Sequence, residues 1–333
     1  MIQHKMRRAL VLLLKAAVSV ALLYVSLRTV HLDTVAARLA GAKAAWLLAA
    51  AALMIVQLVL AALRWREIVD AAPAGAARLP LPTALRFNLI GTFFSQVLPS
   101  TVGGDAARIV LLARHAGDWA AATYSVLIDR IVGVAMLAAI VVACLPWTLS
   151  IVHDPLARSV LLVIGFGALA AAALFLALGL LPVRYAARVA PLRHLVAAAR
   201  MAWTLCRCPG SSSVLAATSL PIHLITVAMV WCCARSVGAP VGFAQVLYLL
   251  PPVLLVATVP VSIAGWGVRE SSMVVAFGYA GLAPGDGLIL SILFGLVSFA
   301  VGTLGGAVWV ASGVKRLPFT AAKTLPLAGE TRS

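Results

Sequence analysis

The sequence predicts an all-α polytopic membrane protein with about six full transmembrane helices and two oppositely oriented re-entrant helical hairpins. Three observations support this fold class. Of the 333 residues, 63% are hydrophobic and only 11% are charged, whereas charged residues make up about 25% of a typical soluble domain. Apolar runs of spanning length recur along the chain. Two longer apolar regions contain proline, glycine and charge together, which is typical of interrupted helices.

Six apolar runs are predicted to be full membrane spans. The first run follows Lys5, Arg7 and Arg8 and resembles a signal peptide, but Lys15 and the lack of a clear cleavage site favour a retained helix. No polar stretch is long enough to fold alone, so we predict one transmembrane domain over 1–314 and a disordered cytoplasmic tail over 315–333. The six runs are 9–27, 44–63, 119–145, 159–181, 212–235 and 286–311.

Two further apolar regions, 84–114 and 243–280, are too long for one plain span. If each is a hairpin that returns to its own side, and the N-terminus is cytoplasmic, then the loops 64–86 and 182–211 and the tail are cytoplasmic and carry most of the Lys and Arg. This predicts cytoplasmic termini in a bacterial inner membrane and two hairpins inserted from opposite faces, as in an inverted repeat. Two unrelated proline-interrupted helices are the alternative.

The net charge of +16 is spread over short loops, which indicates contact with anionic lipid rather than with nucleic acid. The segment 192–207 places Arg193, Arg200 and Arg207 seven residues apart, as expected of a helix lying in the membrane interface. An ordinary cytoplasmic connector explains it equally well. The five cysteines have no disulfide or zinc spacing, and we predict no metal or other cofactor.

The first broken region contains the motif Pro99-Ser-Thr-Val-Gly-Gly-Asp105-Ala-Ala-Arg108. Ser100 or Thr101 can cap a helix that begins near Val102, and Gly103 and Gly104 let backbone approach a ligand closely. Asp105 and Arg108 are three residues apart, so they share one helical face. A helix N-terminus inside the membrane offers free N–H groups and a positive dipole, which suit a phosphate.

The second motif, Pro260-Val-Ser-Ile-Ala-Gly-Trp-Gly-Val-Arg269-Glu270, repeats this chemistry. The third charged cluster, Asp129-Arg130, lies within the predicted span 119–145, and adjacent residues on a helix point about 100° apart, so we expect each to pair with a hairpin. Charge inside a membrane marks either a ligand site or a structural ion-pair network, and both remain open. The candidate binding residues are Ser100, Gly103, Gly104, Asp105, Arg108, Asp129, Arg130, Ser262, Gly265, Gly267, Arg269 and Glu270.

Three segments, Leu98–Arg108, Ala121–Gly133 and Pro260–Glu270, together resemble the lysylphosphatidylglycerol synthase transmembrane region, whose members are also described as flippase-like domains. The resemblance covers roughly residues 8–315. In the aminoacyl-lipid enzymes of that superfamily the membrane region moves a modified lipid between leaflets, and a separate soluble domain transfers the amino acid. The resemblance therefore implies a standalone translocator without synthase activity.

These observations predict translocation of a phospholipid, or of another lipid-linked anionic headgroup such as that of a polyprenyl- or hopanoid-type lipid, through a cavity near the midplane. In this hypothesis the arginines bind the phosphate and the carboxylates hold the arginines. The alternative is an accessory membrane subunit of a lipid-modifying or envelope-biosynthesis complex. An intramembrane enzyme acting on a lipid phosphate lacks a visible nucleophile–base pair or metal set. The sequence leaves open whether the chain forms a homo-oligomer.

Overall fold

The structure is a computed structural model that describes residues 38–71, 78–98, 102–182, 189–258 and 267–312. Regular structure in these residues is helical. The helices whose two ends lie within these ranges are α1 Ala44–Asp70, α2 Leu81–Val97, α3 Gly103–Ala116, α4 Trp119–Ile151, α5 Pro155–Leu178, α6 Ala190–Arg207, α7 Pro209–Ser236, α8 Phe243–Ala257, α9 Val268–Tyr279 and α10 Pro284–Ala311.

Five of these helices, α1, α4, α5, α7 and α10, are long and apolar enough to cross a membrane. They confirm the predicted spans at 44–63, 119–145, 159–181, 212–235 and 286–311, so the chain is a helical, polytopic membrane protein. The predicted first span at 9–27 and the predicted tail at 315–333 lie outside the described residues. The predicted start of the loop 64–86 was wrong, because α1 continues to Asp70 and contains Arg64 and Arg66.

The first broken region forms two helices that fold back on each other. Helix α2 ends at Val97, and α3 begins at Gly103, one residue from the predicted start. The two helices are in close contact at Gly104. A Cβ atom at this position would overlap the Gly91 carbonyl oxygen and the Ser95 hydroxyl, so glycine is required. The second region forms an equivalent pair, in which α8 ends at Ala257, α9 begins at Val268 and the two helices pack together.

The helices form two groups of the same order, α1–α4 and α7–α10, each consisting of a long helix, a short pair and a second long helix. Helices α1 and α7 run antiparallel, since Lys43 N–H donates to the Ser236 carbonyl at one end, 2.8 Å, and the Ser211 hydroxyl donates to Glu67 at the other, 2.6 Å. The last helix of each group packs on the short pair of the other group, α4 on α8 and α10 on α2. This arrangement is the one that an inverted repeat produces.

Helices α5 and α6 connect the two groups. A three-residue link joins α4 to α5, and α6 then joins the end of α5 to the start of α7. The buried face of α6 carries Val196, Ala199, Ala202 and Leu205, while Arg193 and Arg207 are exposed residues. The predicted amphipathic helix at 192–207 is therefore present, and it packs against α4, α5 and α7.

Substituting Gly305 with alanine should destabilise the protein. Gly305 lies where α10 crosses α2, and a Cβ atom there would overlap the Leu89 carbonyl oxygen, which belongs to backbone and cannot rotate away. We expect a loss of about 1–3 kcal/mol, the usual cost of overpacking, seen as a lower melting temperature of the purified protein in detergent. Gly167→Ala is the matched control, because nothing lies within 4 Å of its Cβ position. Equal melting temperatures of the two variants would contradict this packing.

Two exposed cysteines at the end of α6 should differ in reactivity. The Ser211 backbone N–H donates a hydrogen bond to the Cys208 thiol and lowers its pKa, whereas partial burial raises the pKa of the Cys206 thiol. Maleimide reacts with the thiolate, so Cys206→Ser protein, which keeps Cys208, should be labelled faster at pH 7 than Cys208→Ser protein. The labelling rate of Cys208 should also rise at a lower pH than the labelling rate of Cys206. The double serine variant corrects for the three buried cysteines, and coincident curves would refute the prediction.

Candidate functional site

Asp129 of α4 is buried between two arginines. Its Oδ1 accepts a hydrogen bond from Nε of Arg64 at 2.8 Å, and its Oδ2 accepts one from Nη1 of Arg108 at 2.9 Å. All three side chains are at least nine-tenths buried. Arg64 also donates to the Ser219 hydroxyl at 3.2 Å. One carboxylate thus joins α1, α3 and α4, and Arg64 extends the connection to α7.

Asp105 forms a second ion pair beside the first. Its Oδ2 accepts a hydrogen bond from Nε of Arg130 at 2.6 Å, and its Oδ1 lies 3.7 Å from Nη1 of Arg108. The Arg130 side chain is 53% exposed, whereas that of Asp105 is 10% exposed. Asp129 and Arg130 therefore pair with the first hairpin rather than with each other. The structure brings together four candidate residues that the sequence singled out, Asp105, Arg108, Asp129 and Arg130.

Local sequence explains how the Arg108 guanidinium is positioned. Gly104 permits close contact between α3 and α2, which places the side chain of Arg108 against Gly91. The guanidinium then stacks over the Trp65 ring, 4.3 Å from its centroid. Trp65 is itself fixed, because its indole N–H donates to the Ser125 hydroxyl at 3.3 Å. Packing therefore holds the guanidinium in one orientation.

The charged cluster lines a cavity of about 310 Å³ between α1, α2, α3, α4 and α7. We call this the central cavity; its charged lining residues are three arginines, Arg64, Arg108 and Arg130, and two aspartates, Asp105 and Asp129. Three buried donors at this site have no hydrogen-bond acceptor within the described part of the chain: Nε and Nη2 of Arg108 and Nδ2 of Asn88. Buried donors are usually satisfied, so these three are unusual for a buried site.

Sequence reasoning missed several residues of the central cavity, among them Arg64, Asn88 and His223. Arg64 was assigned to a loop, although the first helix breaker after the apolar run is Pro73, and continuing the helix to that point would have indicated a span. Asn88 is a polar residue in an apolar region, and such residues commonly join helices by hydrogen bonds. Gln57 does so, since its amide donates to the Thr226 hydroxyl at 3.2 Å. His223 contacts the Gly133 carbonyl oxygen, 2.9 Å from its Nε2, and also lines the cavity.

The charges of the second motif lie elsewhere and bind one another. Glu270 is fully buried; its Oε1 accepts hydrogen bonds from Arg269 and from the Ser291 hydroxyl, both at 2.9 Å. Its Oε2 accepts the Gly267 N–H at 2.7 Å, and Gly267 adopts a φ of 88°, which favours glycine. Arg269 and Glu270 do not line the central cavity. The candidates Ser100, Ser262 and Gly265 lie outside the described residues.

Comparison with known families decides the membership of the chain. Residues 12–306 match the family described as the lysylphosphatidylglycerol synthase TM region. The chain belongs to this family. A search of curated proteins gave no significant match. Membership in the lysylphosphatidylglycerol synthase TM family gives the protein a membrane, lipid-related role, in agreement with its five apolar spans.

Removing the charge of Asp129 should destabilise the fold strongly. Asp129→Asn leaves two buried arginines without their shared counter-charge, and breaking a buried ion pair costs about 3–5 kcal/mol. Arg130→Gln should cost less, because the Arg130 side chain is half exposed. The measurement is the melting temperature of each purified variant in detergent. A double variant, Arg64→Gln with Asp129→Asn, should lose less than the sum of its single variants. Additive losses would show that the pair is not coupled.

Proposed function

We propose that the protein translocates the anionic headgroup of a membrane phospholipid, or of another lipid-linked phosphate, through the central cavity. The observation that carries this proposal is the pair of unused donors, Nε and Nη2, on the buried Arg108. These two nitrogens are neighbours on one edge of the guanidinium, and such a pair can donate to two phosphate oxygens at once. Asn88 supplies a further amide donor in the same cavity.

Charge supports a phosphodiester as the ligand. The three arginines and two aspartates that line the cavity leave one positive charge when His223 is neutral. A phosphodiester carries one negative charge and would neutralise it. In this proposal Asp105 and Asp129 hold the arginines in place, and the cavity, at about 310 Å³, is at the small end of ligand pockets, about 300–1,000 Å³. It would hold a headgroup while the acyl chains remain in the bilayer.

The arrangement of the two helix groups supports passage between leaflets. We propose that the pairs α2–α3 and α8–α9 are re-entrant hairpins inserted from opposite faces, with both termini cytoplasmic in a bacterial inner membrane. Gly267, Arg269 and Glu270, together with Ser262 and Gly265, would then serve the headgroup on the opposite side. The sequence contains no P-loop, so we propose transport that is downhill or driven by a proton gradient or membrane potential.

A proteoliposome assay tests this function. Phosphatidylglycerol labelled on an acyl chain with a fluorophore is placed in both leaflets, and an impermeant quencher then reports how much of the lipid in the inner leaflet becomes accessible. Wild-type protein should expose the inner-leaflet pool, and Arg108→Gln protein should lose at least about tenfold in rate, because a charge-assisted hydrogen bond is worth about 1.5–3 kcal/mol.

Two further variants separate a binding role from a structural one. Ala61→Phe fills the central cavity, which Ala61 lines, without removing a charge, so it should also block movement. Arg207→Gln removes an exposed arginine outside the cavity and should behave as wild type. The melting curve of each variant in detergent is measured first, and all rates are compared at a temperature at which every variant is folded. Wild-type rates in both Arg108→Gln and Ala61→Phe would exclude the central cavity as the route. No movement with wild-type protein, across several lipids and an imposed proton gradient, would favour the accessory-subunit function.

A further inference from the structure

A second cavity, of about 530 Å³, lies between the first turns of α4 and the helix α6. We call it the interfacial cavity, and it shares no residue with the lining of the central cavity. Its position follows from the chain path, because α4 begins, α5 ends and α7 begins at the membrane face along which α6 runs. Its lining residues are Ala71, Asp118, Ala120, Ala121, Tyr124, Arg193, Val196, Ala197, Arg200, Met201 and Thr204.

The charges of this cavity favour an anion. Arg193 and Arg200 are two helical turns apart on one face of α6, and both residues line the same cavity. The Arg200 guanidinium donates to the Leu181 carbonyl, and that of Arg193 donates no hydrogen bond within the part of the chain described. The carboxylate of Asp118 already accepts the backbone N–H groups of Ala120 and Ala121, at 2.8 and 3.0 Å. One positive charge remains uncompensated.

The walls of the cavity favour a lipid over a soluble anion. Most of the lining is apolar, and Ala120, Ala121 and Met201 offer surface to a glycerol backbone and the first carbons of an acyl chain. The adjoining Trp119 is 41% exposed, as expected of an aromatic ring at the headgroup level. Tyr124, which lines the cavity, is held in place, since its hydroxyl and Nδ1 of His194 are 2.6 Å apart. Charge and apolar walls together match one end of a phospholipid.

We propose that the interfacial cavity binds an anionic phospholipid through its phosphodiester group, held by Arg193 and Arg200, as a site separate from the translocation pathway. The bound lipid would fill the space between α4 and α6. It would thereby tie the amphipathic helix to the membrane-spanning helices at this face. The proposal rests on the membrane location of the chain and does not depend on translocation through the central cavity.

Native mass spectrometry of the purified full chain in detergent, with added phosphatidylglycerol, tests this site. The double variant Arg193→Gln/Arg200→Gln should retain one phosphatidylglycerol fewer per chain, with its apparent affinity reduced by roughly tenfold or more. Arg207→Gln is the matched control, because it removes the same charge from the same helix outside the cavity. Ala197→Trp fills the cavity with both arginines present and should also displace the lipid.

Three further experiments test whether the lost lipid was bound in the interfacial cavity. The difference between double variant and control should persist in an Arg108→Gln background, so that failure of the central cavity cannot produce or hide it. Arg193→Lys/Arg200→Lys should keep most of the binding, and inorganic phosphate at the same concentration should not displace the lipid. Equal lipid retention by wild type, the double variant and Ala197→Trp would overturn the proposal. Displacement by inorganic phosphate, or an equal loss in Arg207→Gln, would overturn the assignment of a lipid to this cavity.

Discussion

The carboxylate of Asp129 lies within a membrane-spanning helix and binds Arg64 and Arg108, at 2.8 Å and 2.9 Å. Three helices meet at this group. Removing any one of the three charges would leave another charge without its partner in a low-dielectric environment. One carboxylate cannot neutralise two guanidinium groups, so these three groups together carry one positive charge. The stacking of Arg108 on Trp65 and the close contact of α2 with α3 at Gly104 both serve this junction.

The two charged motifs have the same sequence pattern but different surroundings. In the first half, Arg108 and Asn88 line a cavity, and each has a buried donor without an acceptor among the described residues. In the second half, Glu270 accepts hydrogen bonds from Arg269, Ser291 and Gly267, and it is fully buried. The two clusters therefore differ in environment, although their sequence patterns agree.

Most of the fold could be predicted from the sequence because membrane spans depend on local composition. The spans at α4 and α7 follow from apolar runs, and the break before Gly103 follows from proline and paired glycines. Asp105 and Arg108 share one helical face, as their spacing predicts, yet the shortest contact of each is to α4, with Arg130 at 2.6 Å and Asp129 at 2.9 Å. The partners of Arg64 could not be found in this way, because they lie 65 and 155 residues away in sequence. Such contacts depend on how helices pack.

We propose that Nε and Nη2 of Arg108 hold a lipid phosphate in the central cavity. The most direct measurement is a cryo-electron microscopy structure of the protein in nanodiscs that contain phosphatidylglycerol. We expect phosphate density within hydrogen-bonding distance, about 3 Å, of Nε and Nη2 of Arg108, with the acyl chains directed into the bilayer. A central cavity that contains no lipid density, with Arg108 hydrogen-bonded to protein through both nitrogens, would contradict the claim and leave the charges of the first hairpin a structural role.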